Sequence, residues 1–187
     1  MFHVQELRSA KYEVKKSTFT SYLLPYSLFD SYHDRLKKEN PKASHIIWAF
    51  RALNAYGQIV EGSSDDGEPK GSAGTPTLNV LRGEELINSV LLTVRYFGGT
   101  KLGTGGMVRA YTQSAKAVLE ASMIIPYEPK KSITFDTSYT ITKRYEHYFD
   151  KHTIPYPNRL FHTDMVTWNV ELTEDEIKDF DIFIKSL

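Results

Sequence analysis

The chain has 187 residues, 41% of them apolar and 25% charged, with 23 basic residues balanced by 23 acidic ones and no cysteine. That length suits one large domain or two small ones with a proper core, and the composition excludes a disordered or fibrous chain. Lack of cysteine excludes disulfides, zinc ribbons, iron–sulfur ligation and a thiol nucleophile; apolar stretches such as VLLTV fall far short of the ~20 residues that span a bilayer.

In chain order, the opening MFHVQELRSAKYEVKK has no apolar core of a secretory signal, so a cytoplasmic protein is expected. This extended piece turns at Lys15–Lys16 into a strand over Phe19–Leu24. Ser27 is placed to cap a helix whose apolar positions Phe29, Tyr32, His33 and Leu36 recur at helical spacing, with Asn40–Pro41 as its stop. SHIIWAFRAL reads as a strand of bulky residues, and GQIVEG pairs back on it after a turn at Asn54–Gly57. From Gly62 to Pro76 no periodicity is visible, and a loop of that length within a domain is usually functional or disordered. Thr75 and Pro76 suit the cap and first position of a short helix ending near Arg82–Gly83. NSVLLTVRYFGG is the clearest buried strand, leading through GGTKLGTGG into a long helix from about Thr104 to Ser122. On that helix Arg109, Gln113, Lys116 and Glu120 share the side opposite a stripe of Val108, Tyr111, Ala115, Val118 and Leu119.

Pro126 and Pro129 mark a break, giving domains over 1–126 and 127–187. The first carries 15 basic and 12 acidic residues, the second 8 and 11, so the second is the acidic one. In it SITFDTSY is a strand, Ile141, Tyr145, Tyr148 and Phe149 mark a helix, and FHTDMVTWNVEL is one strand or two. Thr173 with Glu176 forms a capping box for a last helix whose inward positions are Ile177, Phe180 and Ile184. The order β-α-β-(β)-α is most of a ferredoxin-like half, lacking a final strand. The fold class is therefore α+β in two domains.

Two features concentrate the chemistry. All 11 glycines lie between Gly57 and Gly106, and residues 86–119 contain no acid while carrying Arg95, Lys101, Arg109 and Lys116. Strand, glycine loop and helix form the layout of an anion site: Gly98, Gly99 and Gly103 let the backbone approach a ligand, and Thr104, Gly105 and Gly106 offer the orphan N–H groups of a helix start. It is neither a Walker loop, since no Gly-Lys-Ser/Thr follows, nor a dinucleotide fingerprint, since Val108 stands where the third glycine belongs. Tyr96 and Phe97 flank the loop and suit stacking on unpaired bases as well as core packing. The second loop supplies Ser64, Asp65, Asp66, Gly67 and Glu68, with His45 upstream. Asp65, Asp66 and Glu68 are weak candidates for Mg²⁺ or Ca²⁺, with EF-hand spacing absent. A solvated Asp-Gly turn accounts for the same acids, and a loop-to-loop ion pair, with an aspartate holding Arg95 or Arg109 in place, is a further alternative. His45 reads as a structural histidine before a bulky strand, and His147 and His152 as surface or cap residues.

SSDDGEPKGSAGTP followed by VRYFGGTKLGTGGMVRAY resembles the paired signature of the YigZ/IMPACT family. KASHIIWAFRA and KKSTFTSYL are similar to two further stretches of that family, with Ser44 and Phe50 in place of its threonine and tyrosine. The resemblance covers residues 12–122. It implies a first domain of β-α-β type like domain two of ribosomal protein S-five, and a second like the ferredoxin-like domain V of elongation factor G. It also implies a role near translation, which eukaryotic relatives modulate by competing, through a further N-terminal domain, for a co-activator of an initiation-factor kinase.

Two classes of function follow. In one, a non-enzymatic protein binds RNA or the ribosome in regulating translation, with Arg95, Lys101, Arg109 and Lys116 on phosphates, no cofactor, and the acidic second domain facing a protein partner. In the other, an enzyme holds a small phosphorylated ligand at LGTGG, with Mg²⁺ on Asp65, Asp66 or Glu68. A protein-interaction module with no ligand is a further alternative. No membrane partner is expected.

Overall fold

The structure is a computed structural model and describes residues 1–155 and 157–187. The chain divides into two compact units, Met1–Tyr127 and Glu128–Leu187. Among the described residues no helix is long and apolar enough to cross a membrane.

The first unit runs β1 (Phe2–His3), β2 (Arg8–Val14), β3 (Ser17–Pro25), α1 (Phe29–Glu39), β4 (His45–Leu53), β5 (Ile59–Ser64), α2 (Gly74–Gly83), β6 (Ser89–Tyr96), α3 (Thr104–Glu120) and β7 (Ile125–Pro126). Five strands form one antiparallel sheet in the order β2-β3-β6-β4-β5, while β1 and β7 make a two-residue ribbon. Alternation along a strand explains the layers. Val90, Leu92 and Val94 of β6 face α1 with Leu36, while Leu91 packs with Leu78 and Leu81 of α2 and Ala115 and Val118 of α3. Because both faces are covered, the first seven residues of β6 are all buried, which is why that stretch has the most strand-like and least alternating sequence in the chain. Between sheet and α3, Ser21 Oγ bonds Thr93 Oγ1 and Ser114 Oγ, each at 2.7 Å, so three buried hydroxyls satisfy one another.

Two helix starts differ from the sequence expectation. A 3₁₀ turn over Tyr26–Leu28 absorbs Ser27, and no side chain caps α1. The helix expected to start at Pro76 with Thr75 as its cap begins two residues earlier, at Gly74, and strand β5 extends to Ser64, so the irregular stretch between Gly62 and Pro76 shrinks to residues 65–73.

The second unit contains β8 (Lys131–Ser138), α4 (Thr142–Lys151), β9 (Asn158–Phe161), β10 (Met165–Leu172) and α5 (Glu174–Lys185). Its sheet is antiparallel, in the order β8-β10-β9, so FHTDMVTWNVEL contains the end of one strand and the whole of the next. This is the β-α-β-β-α half of a ferredoxin-like arrangement, with three strands among the described residues. Trp168 is fully buried between Phe135, Tyr145 and Phe149, and its indole N–H donates to Thr137 Oγ1 at 2.8 Å. Thr173 and Glu176 form the expected capping box at the start of α5. Phe183, not Ile184, joins Ile177 and Phe180 against the core; Ile184 is 40% exposed.

Candidate functional site

Register across the central strands brings the two glycine-containing loops to one place. His45, first residue of β4, lies opposite Arg95 near the end of β6, and Phe19 of β3 lies opposite Arg95 on the other side. All three point to the face covered by α3, since Val94 and Ile46 beside them face α1. Loop 97–103 leaves β6 at this point, and loop 65–73 folds back over it from β5.

The second loop is held by its own acids. Asp65 Oδ1 accepts the amides of Ala73 and Gly74 at 3.0 and 2.8 Å, and Oδ2 accepts that of Gly71 at 2.8 Å. It therefore caps α2 from nine residues upstream, the work that the sequence assigned to Thr75. Burial pulls the Asp65 carboxyl up, but the three amide bonds outweigh it and hold the group below the usual carboxylate range. Asp66 sits at φ 44°, its Oδ2 accepting Ile46 N at 2.6 Å and its carbonyl the Nδ1–H of His45 at 2.7 Å; its own N–H donates to Ser64 Oγ. A carbonyl can only accept, so Nδ1 of His45 carries the proton and Nε2 faces the other way.

That other way is Glu68. Only 7% exposed, it pairs with Arg95, itself 5% exposed, through Oε1 and Nη1. Tyr111 of α3 donates its hydroxyl to the same oxygen at 2.7 Å, and Nε2 of His45 stands 3.8 Å from Oε2. Burial, with the Glu68 carboxylate next in weight, pushes the Tyr111 phenol far above its ordinary range, so it remains a donor. The Arg95 guanidinium lies near the rings of Phe19 and Phe97, 5.5 and 5.8 Å from their centres, and its Nε has no hydrogen-bond partner among the described residues.

Beside this network is a cavity of 540 Å³ lined by both loops and the start of α3, including Ser44, His45, Glu68, Arg95, Phe97 and Lys101. Ser44 Oγ accepts the amide of Phe97 at 3.1 Å, which leaves its hydroxyl proton free to donate. The first bond of α3 runs from Met107 N to Gly103 O, and no side chain among the described residues caps the helix, so the amides of Thr104, Gly105 and Gly106 are the orphan donors of that end. Gly103, at φ 71°, makes the turn into the helix. Gly98 is a packing necessity: a Cβ there would stand 2.0 Å from the carbonyl carbon of Lys16 in the β2–β3 turn.

The sequence-stated candidates thus divide. His45, Glu68, Arg95, Lys101, Gly103 and Thr104 converge on the cavity. Arg95 does not act as an outward cation, because Glu68 holds it inside. Arg109 is exposed in a groove with Tyr12, Val14 and Lys15, and Lys116 is exposed against Pro76 and Asn79 of α2. Tyr96 is 36% exposed, its hydroxyl donating to Asn40 Oδ1 at 2.9 Å. Gly99 has a positive φ in the open part of the loop, and Gly67 lies over the His45 ring. Asp65, Asp66 and Glu68 face different partners, and among the described residues no group of three or more acidic or histidine side chains is gathered as for a metal. Tyr111 was legible only as a core position of α3 and Ser44 only as a variant of a motif, while Met107 was missed because the stripe was read through Val108, which is only half-buried; their place at the site comes from the strand register.

The sequence profile of the Impact N-terminal domain matches residues 15–119. A relative from Haemophilus influenzae named an IMPACT family member is 40% identical over 111 residues, which are 58% of this chain and 54% of that protein. YvyE of Bacillus subtilis, also named an IMPACT family member, is 30% identical over 142 residues, covering 74% of this chain and 64% of that one. The matched parts therefore span between half and two thirds of these relatives. A solved structure titled as that of a hypothetical protein is similar over 99% of this chain and 91% of its own, with a TM-score of 0.73 and 26% identity.

Proposed function

The chain belongs to the Impact family, and on that footing we propose that it takes part in the regulation of translation by binding RNA, alone or on the ribosome, through the loop 97–103 and the start of α3. The observation that carries this reading is the uncapped start of a 17-residue helix, beside an exposed loop bearing Lys101, the half-exposed ring of Phe97 and, one turn on, Arg109. Amides, cations and an aromatic face together match what a single-stranded nucleic acid presents: phosphates and bases. The cations in contact are Lys101 and Arg109, with Lys116 further along the same side of α3. The second unit, with its acidic excess, faces a protein partner rather than RNA.

Co-sedimentation with ribosomes and filter binding to single-stranded RNA test this at low and high salt. Lys101→Glu/Arg109→Glu should abolish a salt-sensitive association. Arg95 is left intact, because a glutamate there would bury a second acid against Glu68. Unchanged binding by the double variant overturns the reading.

A second reading, an enzyme acting on a small phosphorylated compound, is favoured by one observation: the cavity encloses His45 and Glu68 together. Thermal shifts with sugar phosphates, with and without Mg²⁺, would reveal it as stabilisation.

A further inference from the structure

The second unit has a groove of 460 Å³ between α4 and α5, and its two banks carry opposite charge. Along α4 stand Arg144, His147 and Lys151, successive turns of one stripe, with His152 just beyond the helix end. Along α5 stand Asp179 and Ile182, with Asp175 one turn before Asp179 on the same stripe. The ion pairs of this unit, Arg159–Glu146 and Lys178–Asp175, leave Arg144, Lys151 and Asp179 unpaired among the described residues. The floor is apolar: the rings of His152, Tyr148 and Phe183 stack in series, 4.3 and 4.4 Å between centres. Beside it Ile182 is 67% exposed, more than any other large apolar side chain among the unit's described residues. One face thus holds an apolar knob and an apolar seat, a basic bank and an acidic one.

We propose that this face docks on the same face of a second copy of the chain. A surface that carries its own complement fits an isologous pair, in which one patch meets itself. The charges select the geometry. A two-fold axis across the groove would lay α4 on α4 and bring cations together. An axis along the groove lays α4 of each copy on α5 of the other. Arg144 and Lys151 then meet the bank of Asp175 and Asp179, and Ile182 of each copy rests on the other's ring stack. Helices of 10 and 12 residues are about 15 and 18 Å long, so the contact is small and the dimer a weak one, in the micromolar range. The inference goes beyond the RNA reading, which concerns the first unit, and does not depend on it.

Sedimentation velocity of the full chain, from about 1 to 500 µM at low salt, tests this. The wild type should pass from monomer to dimer within that range. Ile182→Ser should raise the dissociation constant about tenfold or more, because a two-fold interface buries the residue twice. Arg144→Glu/Lys151→Glu and Asp179→Lys should each be largely monomeric alone, since like charges then face each other. An equimolar mixture of these two variants should dimerise again, because both crossed contacts return to opposite sign. The four side chains are exposed, and the Trp168 fluorescence transition checks that each variant keeps its fold. A wild type that stays monomeric at the highest concentration overturns the inference. So does a dimer indifferent to all three variants, or a mixture that fails to recover. RNA binding by the first unit should be the same in every variant, so the two readings fail separately.

Discussion

Replacing Glu68 by glutamine keeps the side chain's shape and removes its charge. Arg95 would then be a guanidinium 5% exposed with no carboxylate beside it. Breaking one side of a buried pair costs about 3–5 kcal/mol, because the remaining charge keeps its desolvation penalty and loses its partner. For a small unit with a urea dependence of roughly 2 kcal/mol per M, the unfolding midpoint should fall by about 2 M. The readout can be confined to the first unit, since the two tryptophans are Trp48 and Trp168, one in each unit. In a Trp168→Phe background the fluorescence of Trp48 reports the unit that holds the pair. Arg95→Met should cost a similar amount, and the double variant should cost less than the sum by about 2 kcal/mol or more, as expected of residues in one network. A drop below about 1 kcal/mol for Glu68→Gln, or strictly additive single effects, would refute the idea that the pair is dry and coupled.

Asp65→Asn should destabilise the first unit at neutral pH by about 1 kcal/mol, because the amide keeps one acceptor oxygen for Ala73 and Gly74 but loses the negative charge and the acceptor of Gly71 N. The Asp65 carboxyl is depressed in the folded state, so its contribution is full above the unfolded value of 3.8 and disappears as pH falls through the lower folded value; the wild-type advantage over the variant, followed by thermal melting, should shrink on acidification in that window. Gly98→Ala should cost about 3 kcal/mol or more, since backbone must move to admit the methyl group, whereas Gly83→Ala, which meets nothing within 4 Å, should be neutral or stabilising by about 0.5 kcal/mol in urea titrations. Thr137→Val leaves the buried indole N–H of Trp168 without its acceptor and should lower the stability of the second unit by about 1–3 kcal/mol, seen in the Trp168 fluorescence transition.

Local chemistry in the sequence was enough for most elements. The burial of β6 on both faces is written in its unbroken apolar run and the capping box in Thr173 and Glu176, whereas Gly98, read as letting the backbone approach a ligand, is required by its packing on the β2–β3 turn. The four cations of the acid-free window were equally visible, yet their fates were not. Arg95 and Arg109 have the same charge and lie on either side of one loop, but the first is drawn inside by Glu68, 27 residues away in the chain, while the second stays in water. No periodicity or spacing encodes that pairing, because it depends on His45 and Arg95 being register partners across β4 and β6 and on loop 65–73 folding back over both. For the same reason Asp65 looked like a metal candidate and proved to be a helix cap: a carboxylate on an irregular loop takes whichever donors the fold brings nearest, and here three backbone amides arrive first.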